Sequence, residues 1–135
     1  MFDKTEKYVT LVFVLSHHEF GLLISKGKKI ADITNTKLNV INVRQKSEWG
    51  RKLSRELDSM LIISNNMEAQ MLVFFSDNPI KILNDYIERN KVKYIILEND
   101  GLKAIDSDEK TYLKSQKIEI YLFDNNKERI EQHEY

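Results

Sequence analysis

The sequence predicts an α/β domain built on an open parallel sheet with helices on both faces. Three observations carry this expectation. Four short runs rich in β-branched and aromatic residues recur, Tyr8 to Leu15, Leu38 to Val43, Met71 to Phe75 and Tyr94 to Leu97, and a fifth, Ile118 to Phe123, closes the series. The first, third and fourth are apolar nearly throughout instead of alternating, which is the pattern of strands covered on both sides. Between the runs lie segments of helical periodicity, each long enough for the crossover that joins parallel strands. Strict alternation of strand and helix then gives a three-layer arrangement, because right-handed crossovers distribute the helices over both faces.

Each element has its own signal. After the first strand, YVTLVFVL, Ser16 and Glu19 stand at capping-box spacing, where hydroxyl and carboxylate satisfy two otherwise unpaired backbone donors. The helix that follows carries Leu23, Gly27, Ile30 and Ala31 on one stripe, with Lys26, Lys28, Lys29 and Asp32 largely elsewhere. The second strand, LNVINV, leads into the longest helix, whose single apolar face holds Trp49, Leu53, Leu57, Met60, Leu61 and Ser64, so that Trp49 is expected in the core. After MLVFF, Asp77 or Asn78 caps a helix whose first turn accepts the sole proline, Pro79, with Ile80, Leu83 and Ile87 inward. After YIIL, Asp106 or Ser107 opens a short helix, with Asp106 and Glu109 again at capping-box spacing and Tyr112 and Leu113 as its apolar contacts. In the last strand Ile118, Ile120 and Leu122 face one way and Glu119, Tyr121 and Phe123 the other. A domain over residues 1–123 and a charged C-terminal tail over residues 124–135 are expected, since DNNKERIEQHEY offers little to bury.

Composition narrows the function classes. A chain of 135 residues makes one domain, and 21 basic against 21 acidic residues leave no global field to attract nucleic acid or an anionic membrane. Neither is expected as a partner. The absence of cysteine removes disulfides, thiolate metal sites and cysteine nucleophiles, and fits a reducing compartment. No apolar run approaches the roughly 20 residues that span a bilayer, and the opening MFDKTEKYVT is charged. A cytoplasmic location is expected.

In an open parallel sheet, ligands bind outside the carboxyl ends of the strands, where strand order reverses. The candidate loops are therefore Ser16 to Glu19, Arg44 to Glu48, Ser76 to Asn78 and Glu98 to Asp106. His17 and His18 point about 100° apart on a helix and lack the i, i+4 partner of a zinc helix, so no metal is expected. Ser16 lacks the Gly-x-Ser-x-Gly elbow of an activated nucleophile, and no catalytic residue is expected. The basic run Arg44, Lys46, Arg51, Lys52 and Arg55 reads either as a solvated helix face or as an anion contact at the crevice mouth.

From Val9 to Phe123 the chain resembles the universal stress protein family, of adenine nucleotide alpha hydrolase-like fold. VFVLSHHEFGLLISKGKKIADITNTKLNVINV resembles its opening strand-helix-strand unit, and DNPIKILNDYIERNKVKYIILEND the helix and strand before its nucleotide loop. SHHEFGLLISKGKKIA is most similar to the stress-protein-like domain of potassium-responsive sensor kinases. The resemblance implies a five-stranded sheet of order 3-2-1-4-5.

Nucleotide-binding members carry Gly-x-x-Gly, nine residues, then Gly-Ser/Thr, because glycines let backbone amides curl around phosphates. With Gly101 on the second glycine, Glu98 stands at the first, Thr111 at the third and Tyr112 at the hydroxyl position. Glu98, Asp100, Asp106, Asp108 and Glu109 outnumber Lys103 and Lys110 there, so a triphosphate meets repulsion. The aspartate that relatives place after the first strand is Leu15 here. The cyclic-dinucleotide pattern of some relatives, Ser-x-Ser with a closing aromatic, falls on Leu15, His17 and Asn42.

Carried over position by position, the ligand-binding candidates are Leu15, Ser16, His17, Val43, Arg44, Glu98, Gly101 and Thr111. The expectation is a non-enzymatic signalling or stress-response module acting through dimerisation and contact with a regulatory protein, with no cofactor. The alternative is a stress protein that binds ATP, another adenine nucleotide or a cyclic dinucleotide, with at most slow ATPase activity. Dimers of the family built through the last strand imply a homodimer interface at Ile118, Ile120, Tyr121 and Phe123.

Overall fold

A computed structural model describes residues 8–15, 20–98, 105–124 and 129–133, with the backbone alone from residue 124 onward. The chain order is β1 (Val9–Val14), α1 (Phe20–Thr34), β2 (Lys37–Arg44), a 3-10 turn (Lys46–Glu48), α2 (Arg51–Asn66), β3 (Gln70–Phe75), α3 (Pro79–Arg89), β4 (Val92–Glu98), α4 (Ser107–Ser115), β5 (Glu119–Asp124) and β6 (Arg129–His133). Strands β1 to β5 form a parallel sheet, as the sequence predicts, in the order 3-2-1-4-5 that the resemblance implies, and β6 adds an antiparallel strand beside β5.

All of β1 is buried, because both faces of this central strand are covered. Leu11 and Phe13 pack with Leu83 and Ile87 of α3 and Leu113 of α4. Val12 and Val14 pack on the other face with Leu23 and Ile24 of α1 and Met60 of α2. Burying such side chains contributes roughly 1.5–3 kcal/mol each, so the continuous apolar run that marks β1 in the sequence is also the center of both cores. Helix α1 lies close on the sheet at Gly27, where any Cβ would collide with Val12 and press on Ile96 and Leu38. Asn78 caps α3 by accepting from Lys81 N at 3.2 Å, and Asp106 caps α4 by accepting from Glu109 N at 2.9 Å. Among the described residues no helix is long and apolar enough to cross a membrane.

Three expectations need correction. The segment over residues 124–135 is not simply a tail, since Arg129–His133 joins the sheet in register with β5 from Asp124↔Arg129 to Ile120↔His133. A strand at an edge needs only one partner ladder, so this polar sequence forms one without an apolar run. It follows that the outer edge of β5, the expected dimer edge, is occupied within the subunit. The interface residues expected there are core residues: Ile118 and Ile120 pack with the α3 and α4 cluster, and Phe123, 1% exposed, with the α1 and α2 cluster, against which the half-buried Tyr121 also packs. The two-faced alternation of β5 is as predicted; its second face meets helices instead of a second subunit.

The third correction is Trp49. The 3-10 turn and an extended Gly50 delay α2 until Arg51, so Trp49 falls outside the helical register that put it in the core. It is 71% exposed, with its ring edge-on to Phe75 at 5.7 Å. Leu53, Met60 and Ser64 of the same stripe are buried as expected, whereas Leu61 is exposed.

Candidate functional site

The carboxyl ends of β1, β2 and β3 converge on a shallow cavity of about 210 Å³ lined by Leu15, Val43, Arg44, Glu48, Ser76 and Asp77. Ligand pockets are usually roughly 300–1,000 Å³, so this one admits a small group. Leu15, Val43 and Arg44, all candidates from the sequence, do come together here. A larger depression of about 450 Å³ opens at the opposite end of the sheet, beside Lys37, Leu38 and Gln70. There Lys28 is already paired with Asp32 at 3.2 Å and Glu68 at 3.7 Å, and parallel sheets of this type hold ligands at the other end.

Arg44 dominates the electrostatics. Its position at the end of β2 draws the guanidinium inward, and it is only 6% exposed. Its Nε donates to Glu48 Oε2 at 2.6 Å and its Nη2 to Glu56 Oε2 at 3.0 Å, while the buried Nη1 has no partner among the described residues. Burying a charge requires this kind of pairing, because desolvation of an isolated ion costs several kcal/mol. The consequence for binding is direct: one cation faces two carboxylates, and Asp77 adds a third on the cavity wall. Among the described residues that line the cavity, two carboxylates, Glu48 and Asp77, stand against one cation.

The neighbouring donors are committed as well. Ser76 Oγ accepts from Asn78 N at 3.0 Å and Asn78 Oδ1 accepts from Lys81 N, so the start of α3 is closed by its own side chains. Asn42, fully buried, donates from Nδ2 to Val14 O at 2.9 Å and fastens the end of β1 to β2. In the sequence Asn42 stands out only as a mismatch to a cyclic-dinucleotide pattern; a polar residue inside an apolar strand is the signal for this clasp.

The remaining candidates lie elsewhere. Glu98 is the half-buried last residue of β4, in register with Phe123 of β5. Thr111 lies within α4, exposed, and donates from Oγ1 to Ser107 O at 2.9 Å, so the structure does not bring it to the Arg44 cavity. Ser16, His17 and Gly101 lie outside the described residues. In the first turn of α4, Glu109 is buried, and Asn84 Nδ2 donates to its Oε1 at 2.9 Å. Burial raises the Glu109 carboxyl above its ordinary range, against the hydrogen bond from Asn84 and with the charge of Asp106 adding to the rise. By spacing alone Glu109 belongs to a helix cap and a repulsive loop, and nothing in the sequence signals its burial against α3.

Comparison with known proteins matches the fold and nothing finer. No family model matches the chain, and no curated protein matches it. Among solved structures it is similar to a crystal structure of a universal stress protein in complex with cAMP, at a TM-score of 0.50 and 14% identity, over 83% of this chain and 89% of that one.

Proposed function

We propose that the chain is a non-enzymatic signalling or stress-response module on the universal stress protein fold, acting through protein contacts instead of phosphate chemistry. One observation carries the reading: the buried cation at the carboxyl end of the sheet, Arg44, is held by Glu48 and Glu56, which leaves an acid-rich cavity where a phosphate needs donors. The sequence adds Glu98 and Leu15 where nucleotide-binding relatives place glycine and aspartate. Among the described residues no pair of groups at the cavity has the nucleophile and base geometry that catalysis requires.

The test is thermal denaturation of freshly purified protein with ATP, AMP, cAMP and cyclic dinucleotides, together with mass spectrometry of material released on unfolding. A ligand at 100 times its dissociation constant stabilises the folded state by about 2.7 kcal/mol, a shift of several degrees. We expect an unmoved melt and no released nucleotide. A stoichiometric adenine nucleotide overturns the reading.

A second reading, adenine nucleotide binding, draws support from the cAMP held by the structural neighbour. Leu15 and Val43 would contact the base and the unpartnered Nη1 of Arg44 would donate to it. The same melts decide between the two.

A further inference from the structure

The described sheet has two outer edges, and they differ in chemistry. The β6 segment, RIEQH, sets Arg129, Glu131 and His133 within five residues, and charge of that density discourages strand addition. The β3 segment, QMLVFF, has neither charge nor proline. Its register with β2 runs from Asn39↔Gln70 to Arg44↔Phe75 without a bulge. Ser76 N donates to Arg44 O at 2.9 Å, so alternation directs the backbone groups of residues 72 and 74 toward β2 and those of 71, 73 and 75 outward. Among the described residues nothing pairs with that outer row.

Apolar groups flank this edge on both faces. On α3, Leu83 and Ile87 face the sheet and Asn84 reaches α4 through Glu109, so the stripe of Ile82, Asp85 and Arg89 lies on the flank away from α4. There it borders a groove of about 310 Å³ floored by Leu72 and Phe74. On the opposite face, Ile63 of α2 lies beside Gly21 of α1, which turns Leu61, 45% exposed, to the flank away from α1. The exposed Trp49 stands against Phe75 at the end of the same strand.

We infer that β3 pairs antiparallel with β3 of a second copy, giving a two-fold dimer with a continuous sheet. The inference deepens the reading in which protein contacts carry the function, and it rests on that reading. A two-fold interface must be complementary to itself. A dyad perpendicular to the sheet runs the two α3 helices antiparallel across the seam and brings Asp85 toward Arg89 of the partner subunit, and the reverse. Asp85 and Arg89 have no ion-pair partner within the described residues of one chain. The occupant is thus a copy of this chain, whose charges at i, i+4 answer each other.

Size-exclusion chromatography with light scattering on the full chain at about 50 µM tests the inference. The wild type elutes as a dimer. Val73→Pro removes an outward N–H and leaves the ladder to β2 intact, so it elutes as a folded monomer by circular dichroism. Arg89→Asp weakens dimerisation at least tenfold, and adding Asp85→Arg restores it. If Val73→Pro fails to fold, the charge reversal and its rescue carry the test. A monomeric wild type, or a dimer indifferent to both Arg89→Asp and the double swap, overturns the inference while leaving the acid-rich cavity as it is. A nucleotide found at that cavity instead overturns the functional reading and leaves the light-scattering result standing.

Discussion

Gly27→Ala isolates the close approach of α1 to the sheet. A methyl at this buried position would overlap Cγ2 of Val12 and lie 3.2 Å from both Ile96 Cδ1 and Leu38 Cδ1. Alanine favours the helix by about 1 kcal/mol relative to glycine. Against this, overpacking a filled core costs roughly 1–3 kcal/mol. Val12 is fully buried and β-branched, stiff at χ1, so it cannot swing aside. The overlap with the Val12 methyl puts the overpacking cost in the upper part of that range, about 2–3 kcal/mol, so overpacking wins and a net loss of about 1–2 kcal/mol is expected. With a urea slope of about 2 kcal/mol/M, the middle of the usual range, the unfolding midpoint falls by about 0.5–1 M at unchanged slope. Gly21→Ala is the control: among the described residues its methyl would meet only Ile63 Cδ1 at 3.5 Å, an ordinary contact, and the variant should be as stable as wild type or slightly more so. In a Val12→Ala background the penalty at Gly27 should shrink, with a coupling of about 0.5–1 kcal/mol. A Gly27→Ala protein as stable as wild type refutes this account of the packing.

Three further outcomes follow from buried polar groups. Burial raises the Glu109 carboxyl above its usual 4.5, so the folded state holds its proton more tightly than the unfolded chain does. The stabilisation this proton confers is complete below about pH 4.5 and is lost as pH rises through the folded value. The stability of Glu109→Gln minus that of wild type, measured by urea unfolding from pH 4 to 8, should therefore grow with pH. Arg44→Ala leaves Glu48 and the half-buried Glu56 without their cation, and a loss of about 3 kcal/mol is expected in the same assay, with Arg44→Lys intermediate because it keeps the charge and loses the two-armed geometry. Tyr86→Phe strands the buried Nδ2 of Asn39, which donates to the Tyr86 hydroxyl, and should cost about 1–3 kcal/mol; Asn39→Leu in that background should recover part of the loss.

The parallel strands were legible because burial on two faces requires unbroken apolar runs. Tyr8 to Leu15 brackets β1, and Met71 to Phe75 falls within β3. Helix starts were legible at Asn78 and Asp106, where a side-chain oxygen must meet an orphan amide. Strand β6 was not, because one paired edge asks little of its side chains, and RIEQH resembles the solvated segments around it. Helical arithmetic carried Trp49 into the core, but Gly50 interrupts the helix on which that arithmetic depended. Arg44 stood first in a basic run that read as a solvated face or an anion contact, and it is not solvated. The end of β2 turns it inward, and Glu48 and Glu56, four and twelve residues on, claim it. Pairing through space between residues on different elements left no spacing signal in the chain.

The hairpin formed by β5 and β6 has a thermodynamic consequence of its own. The other ladders join segments separated by an entire helix, and each must close a long loop before any hydrogen bond forms. β6 returns at once on its immediate predecessor, Asp124 opposite Arg129, so its ladder can zip and unzip without disturbing the remainder. Amide exchange in β6 should accordingly proceed by local fraying, decoupled from the cooperative unfolding that governs exchange in β1.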